Sequence, residues 1–378
     1  MPSRTDNETM TGRERLLSLF RGQIPDRMPF VPMMTSYFWE NLPNTCHASN
    51  AIDACKCVGS DILDWHVSSY SGWDWSDESW LAGAGIQRRE RVDDGVTTVE
   101  LETPVGTLIE RRIETDEAGG TSFIRDHLVR GPEDLGAYRY LWQAREPLPD
   151  YDTTQRTVDR IGDNGLAAVR MPPTPIMTLI MRDSGLDTVC YLLADHADEM
   201  NRLLDLMTEK SLALCEIVAR APVEVSFVAE NSGTRLVSPR QFARYCQPVL
   251  AEYARILHAQ KKVVMLHACG HLANILEEIA ATGVDGIESV TPPPTGNTPL
   301  PLAREVLGPD KILIGGIDPS FFVSASPAEV ESLVKEIALW ASPGRYVAVM
   351  PADSCPAKAP LANFAAVEEA IERFGRWT

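Results

Sequence analysis

From about residue 132 onward the chain alternates short apolar runs with longer amphipathic stretches, and this alternation limits the possible folds more than any other feature. The apolar runs fall at 165–171, 223–229, 262–268, 284–290, 311–316 and 345–350. Helices are expected at 173–184, 185–194, 196–220, 239–260, 271–282, 327–341 and 360–375. Strands that alternate with helices build a parallel sheet. Six strands here, with two more near 29–33 and 60–65, make the eight that a (β/α)8 barrel requires. An open, doubly wound sheet is the alternative.

Residues 86–128 differ in character. Gln87–Val92, Thr97–Leu101 and Thr107–Ile113 alternate polar and apolar residues with period two, and Asp93-Asp94-Gly95 and Pro104-Val105-Gly106 separate them as turns. The segment reads as an antiparallel meander inserted into one barrel domain spanning residues 1–378. Near the start, Thr11-Gly12-Arg13-Glu14 has the form of a capping box for a helix ending near Gly22.

In a barrel, chemistry sits at the C-terminal ends of the strands. Glu230, His267, Cys269, Glu288, Asp318 and Cys355 all fall at or just past such ends. His267 and Cys269 are two residues apart at a strand end, so their side chains share a face. Cys355 follows another strand. Two sulfurs and one nitrogen form an open three-ligand set that suits Zn²⁺ with a fourth position left free. Glu288 ends the next strand and is the expected fourth ligand. Glu230 is its rival, or else a general acid or base. His271 is expected in the first turn of the following helix, as a partner of the ligands.

The eight cysteines are expected to be buried thiols or metal ligands rather than disulfides. Cys190, Cys215 and Cys246 lie in amphipathic stretches and read as core. Cys55-Lys56-Cys57, with Cys46 and His47 upstream, is a competing metal cluster, but Cys-x-Cys on a helix sends its sulfurs to different faces.

A formal charge of −18 argues against nucleic-acid and anionic-membrane partners. The first residues lack the apolar stretch of a signal peptide and no run approaches a membrane span, so a cytoplasmic location is expected. Aromatic residues concentrate in the first quarter. Trp39 and Trp73 are candidates for a wall against a flat cofactor or substrate. His66 is a candidate donor to a phenolic or ether oxygen, and Asp318 a candidate cofactor contact. A thiolate-rich zinc can hold a substrate thiol as thiolate or polarise a bound oxygen. Both suit alkyl transfer, and hydrolysis with Glu230 as base stays open.

Several motifs resemble the uroporphyrinogen decarboxylase superfamily: Arg13-Glu14-Arg15-Leu16-Leu17 with Asp26-Arg27-Met28-Pro29, then Ser238-Pro239-Arg240-Gln241-Phe242, Leu266-His267-Ala268-Cys269-Gly270 and Gly315-Gly316-Ile317-Asp318-Pro319. The resemblance covers nearly the whole chain and implies a (β/α)8 barrel. Within the superfamily, His-x-Cys with a late Cys is similar to the zinc-dependent corrinoid methyltransferases. That likeness implies zinc on His267, Cys269 and Cys355. A related barrel, cobalamin-independent methionine synthase, has a Glu where Glu288 stands. The likeness to the corrinoid methyltransferases also implies a corrinoid co-substrate, methylcobalamin or cob(I)alamin, free or on a partner corrinoid protein, and a small methyl donor or acceptor. The aromatic front end favours demethylation of a donor such as an aryl methyl ether. Methylation of a thiol by methylcobalamin, a metal-free decarboxylase-type lyase and a non-catalytic binding protein are the alternatives. The decarboxylase's arginine-rich N-terminal motif is replaced here by Phe30–Trp39, and its aspartate by Ala229-Glu230-Asn231.

Overall fold

The computed structural model describes residues 9–43, 46–114, 122–342, 346–351 and 358–377. Along the chain the strands are β1 (Ile62–Val67), the two-residue β2 (Tyr70–Ser71), β3 (Gln87–Asp93), β4 (Val96–Thr103), β5 (Gly106–Glu114), β6 (Ser122–Asp126), the two-residue β7 (Leu148–Pro149), β8 (Gly165–Met171), β9 (Val225–Ala229), β10 (Val263–His267), β11 (Gly286–Val290), β12 (Ile312–Ile317) and β13 (Val347–Pro351). Seven of them form one parallel sheet in the order β1-β8-β9-β10-β11-β12-β13.

Residues 29–31 fill the eighth position. Phe30 bridges Val349 in parallel, and the Val349 N–H donates to the Pro29 carbonyl at 2.9 Å. On the other side the Asp61 N–H donates to the Phe30 carbonyl at 2.8 Å. The barrel therefore closes, but through isolated bridges at Phe30 and Met33 rather than the continuous strand expected at 29–33. Pro29 and Pro32 have no N–H to extend the ladder.

Each strand divides its side chains between two apolar layers. Met33, Trp65, Phe227, Met265, Ile314 and Met350 fill the interior. Val169, Val228, Leu266, Ile287 and Leu313 pack outward with the helices. A parallel strand covered on both sides must be apolar on both, which is why these segments read as continuous apolar runs.

The helices Leu186–Asp195, Ala197–Ala219, Pro327–Trp340 and Leu361–Phe374 match their expected spans closely. The stretches expected at 173–184 and 239–260 each contain a π turn, Leu179–Asp183 and Phe242–Cys246. The stretch expected at 271–282 is helical only over Leu276–Ala280, so His271 lies in a loop and not in a first helical turn. Helices Leu135–Gln143, Tyr151–Ile161 and Leu300–Leu307 were outside the expected set. The meander is present with four strands, β3-β4-β5-β6. Its apolar face, including Val99, Leu101 and Leu108, joins the outer core. No helix among the described residues is long and apolar enough to cross a membrane.

The capping box forms as expected, with Thr11 and Glu14 exchanging hydrogen bonds. It starts a helix that carries Arg15 into a buried ion cluster. Arg15 binds Asp26 and Asp61, and Arg27 binds Asp61 as well. The first family motif thus makes a structural junction beside the closing segment.

The expectation that the cysteines avoid disulfides fails at one pair. Cys46 and Cys57 are bonded, with Cα atoms 5.4 Å apart, a separation a disulfide spans readily. Cys55 faces the core while Cys57 faces the preceding turn, so the divergence of Cys-x-Cys on a helix is real and removes a metal cluster at this place. Cys190 is exposed, contrary to the core assignment, whereas Cys215 and Cys246 are buried. Thiol titration of the unreduced, denatured protein is expected to find two thiols fewer than the eight cysteines. A full count of eight would contradict the bond.

Candidate functional site

His267 shares the interior-facing parity of Met265 on β10 and ends that strand at the barrel's C-terminal mouth. Register pairs it with Ala229 on one side and Glu288 on the other. The Glu288 carboxylate, 1% exposed, bonds His267 Nδ1. Ser289 Oγ donates to its other oxygen at 3.3 Å. Burial disfavours a charged His267 ring, but Glu288 and Cys269 outweigh it and raise its pKa to about 10. Cys269 lies against the same ring, and its thiol donates to Asn231 Oδ1 at 3.4 Å. Histidine, carboxylate and thiol are thus gathered at one point where positive charge is favoured.

The backbone around this point is unusual. Asn231 and Ser289 adopt left-handed conformations, with φ of 52° and 69°. Non-glycine residues reach this region at a cost, and such residues cluster at functional sites. The irregularity at Ser289 shifts the β11–β12 register between Glu288 and Val290. It brings the Val290 carbonyl so close that a Cβ on Gly315 would meet it at 2.4 Å. That contact explains the first glycine of the Gly315-Gly316-Ile317-Asp318-Pro319 motif. Asp318, the candidate cofactor contact, is engaged otherwise. It caps the helix Pro319–Ser324 by accepting from the Ser320 and Phe321 N–H groups and also binds Thr295. Although burial opposes it, these bonds hold its carboxyl below the usual range.

Glu230 points the other way from His267. It has the outward parity of Val228 and accepts from the Thr174 N–H and Oγ, both at 2.7 Å. Cys246 and Ser232 complete its surroundings. Asn231, one residue on, takes the place beside Cys269. Burial raises the Glu230 pKa to about 7. A carboxyl with a raised folded-state pKa contributes stability that is full below the unfolded value near 4.5 and is lost as pH rises toward 7. Glu230→Gln is expected to flatten that decline in urea unfolding measured across this range. An unchanged pH slope would contradict it.

His66 is half-exposed at the mouth and stacks on Trp65 with ring centroids 4.5 Å apart. Burial and the nearby Arg170 and His267 charges lower its pKa despite Asp64. Trp65 also touches the His267 ring at 5.1 Å, so His66, Trp65 and His267 form one aromatic ridge. Trp39 packs on the outer core. Trp73 lines a separate part of the mouth, a cavity of about 310 Å³ bounded also by Tyr70, Trp75, Arg145, Arg170 and Asn231. Sequence reasoning missed Asn231 as a site residue, and it missed the arginines. Arg170 was the visible signal, the one charged residue in the apolar run Gly165–Met171.

Cys355, the third expected ligand, lies outside the described residues. Among the described residues no three His, Cys, Asp or Glu side chains are grouped to hold a metal. The pair that is described fits a zinc site in its chemistry. Histidines that bind zinc commonly give their other ring nitrogen to a carboxylate, which fixes the ring, and Glu288 occupies that position on Nδ1.

A parallel barrel with histidine, thiol and carboxylate at its C-terminal mouth defines a class of fold and site. The uroporphyrinogen decarboxylase model matches residues 113–374, and the chain belongs to that family. Its methyltransferase branch is the one the motifs resemble. Methylcobamide:CoM methyltransferase MtaA of Methanosarcina barkeri is 24% identical over 181 residues, 47% of this chain and 50% of that protein. The chain thus spans about half the length of this curated relative. A methyltransferase structure from Methanosarcina mazei is 17% identical and superposes with a TM-score of 0.62, covering 97% of this chain and 99% of that one. At that identity the likeness speaks for the fold alone.

Proposed function

We propose that this protein transfers a methyl group between a small methylated substrate and a corrinoid, using zinc held by His267, Cys269 and Cys355. The observation that carries the reading is the buried bond from Glu288 to His267 Nδ1, which leaves Nε2 as the ring's free donor atom beside Cys269. When bound, the zinc would supply a Lewis acid able to activate a substrate oxygen or thiol.

The protein residues have separable tasks. Glu288 keeps the His267 ring in one orientation through Nδ1, and we assign it that role in place of the fourth ligand. Asn231 accepts from the Cys269 thiol and places that side chain. Trp65 walls the site on the β1 side. We assign His66, on the rim, as a hydrogen-bond donor to the substrate oxygen, a role a neutral ring can fill and one that suits its lowered pKa. Trp73 and its neighbours offer an aromatic surface for the substrate, while neither Trp39 nor the capping Asp318 is assigned a cofactor contact. Glu230 supports the β9 turn.

The favoured direction is demethylation of an aryl methyl ether onto cob(I)alamin, free or on a partner corrinoid protein. The methyl–oxygen bond breaks, a carbon–cobalt bond forms, and the phenolate takes up one proton. The aromatic cavity beside Asn231 favours this direction. The printed activity of the Methanosarcina barkeri relative favours the second reading, methylation of a thiol by methylcobalamin. Incubating zinc-loaded protein with cob(I)alamin and a panel of aryl methyl ethers, while following cobalt absorbance, separates them. Methylcobalamin is expected to form. Reaction only in reverse, from methylcobalamin to thiols, would establish the second reading.

A further inference from the structure

Three arginines, Arg145, Arg170 and Arg182, line the cavity beside Asn231, against one aspartate, Asp74. The lining side chains therefore carry an excess of two positive charges in a chain of net charge −18, partly offset by the buried Asp183 behind the wall, which acts on both Arg182 and Arg145. Arg182 is paired with Asp74 at 3.2 Å and approaches Asp183 at 3.8 Å. Arg145 and Arg170 make no side-chain hydrogen bond or ion pair among the described residues.

Arg145 is the more telling of the two. It is 2% exposed, and its Nε has no partner. Its guanidinium lies 3.9 Å from the centroid of Trp142, 4.7 Å from Trp75 and 4.9 Å from Trp73. Ring faces stabilise the cation but leave its in-plane N–H groups without acceptors. A buried cation without a hydrogen-bonding partner is costly. The indole N–H of Trp75, on the same wall and also buried, is likewise without a partner. Arg170 has the interior-facing parity of Ala168 and lies 5.7 Å from the Trp65 ring, between this cavity and His267.

We infer that this cavity binds the carboxylate of an aromatic acid, with Arg145 and Arg170 as its charge partners and the tryptophans around its ring. A guanidinium matches a carboxylate with two parallel bonds. The indole faces and Tyr70 suit a flat ring better than an aliphatic chain, and the volume lies at the lower end of small-ligand pockets. The far end of such a ligand points toward Asn231 and therefore toward Cys269. This deepens the methyl-transfer reading and rests on it for the identity of the transferred group: the substrate is a methoxylated aromatic acid.

Calorimetric titration of the unmodified protein with 4-methoxybenzoate, 4-methoxybenzamide and propionate tests this without relying on turnover. The acid should bind at least about tenfold more tightly than the amide, the effect of one charge-assisted hydrogen bond, and propionate should bind weakly. Arg145→Gln, and the more exposed Arg170→Gln, should weaken the acid selectively and leave the amide unchanged. Equal affinity for acid and amide, equal affinity for propionate, or undiminished acid binding in both variants would overturn the inference. Acid binding without methylation of cob(I)alamin would sink the proposed function and leave this subsite standing. Methylation from neutral ethers without a preference for the acid would do the reverse.

Discussion

The Cys269→Ala protein is expected to purify with little or no zinc and to lose methyl transfer by more than about 100-fold. Replacing a residue one shell outside a metal typically costs 10–100-fold in affinity or activity, and Cys269 is proposed to touch the metal itself. Its side chain is only partly buried, and its Sγ meets only Asn231, through a long hydrogen bond, and the His267 ring among its described polar partners. The fold should therefore tolerate alanine, and circular dichroism should match the unaltered protein. Glu288→Gln should lose about 10–100-fold in zinc affinity, because an amide can still meet Nδ1 but without the charge. Metal content by mass spectrometry with the cobalt-absorbance assay reads both effects. A Cys269→Ala protein that keeps zinc and activity would remove the site.

Asp61→Ala is expected to destabilise the fold by about 3–5 kcal/mol, the usual result of removing one partner from a buried ion pair. Asp61 is 3% exposed and accepts from Arg15 at 2.6 Å, from Arg27 at 3.1 Å and from the Phe30 N–H at 3.1 Å. Without it two buried guanidiniums share Asp26, and the Phe30 N–H loses its acceptor at the place where the barrel closes. The structural cost comes from the closure as much as from the charge, since residues 29–31 have few other ladder bonds. Asp61→Asn should cost less, because the amide oxygen can still accept from Phe30. Urea unfolding of the two variants measures the difference. An alanine variant within about 1 kcal/mol of the parent, the range of an exposed pair, would show that the cluster contributes little.

The barrel was legible in the sequence because its strands are buried on both faces. Gly165–Met171 and Val263–His267 are short apolar segments that needed no knowledge of their neighbours. The shared face of His267 and Cys269 followed from period two, and the register partner Glu288 from strand order. What escaped depends on distant contacts. Glu230 and Asn231 exchange roles through a left-handed turn that no composition announces. Cys46 and Cys57 meet because of a loop path. The cavity draws Trp73, Trp142, Arg145, Arg170 and Arg182 from separated segments, so no spacing links them. Leu135–Gln143 escaped because its aromatic-rich face reads as strand or helix alike. The Arg15, Asp26 and Arg27 motif was visible as a family mark, but only packing shows that it closes the barrel rather than touching substrate.

X-ray absorption at the zinc edge of the purified protein tests the central claim most directly. Two sulfur neighbours at about 2.3 Å and at least one imidazole nitrogen near 2.0–2.1 Å are the predicted shell, falling to one sulfur in Cys355→Ala. A zinc shell without sulfur, a shell of four sulfurs, or an unchanged spectrum in that variant would contradict it.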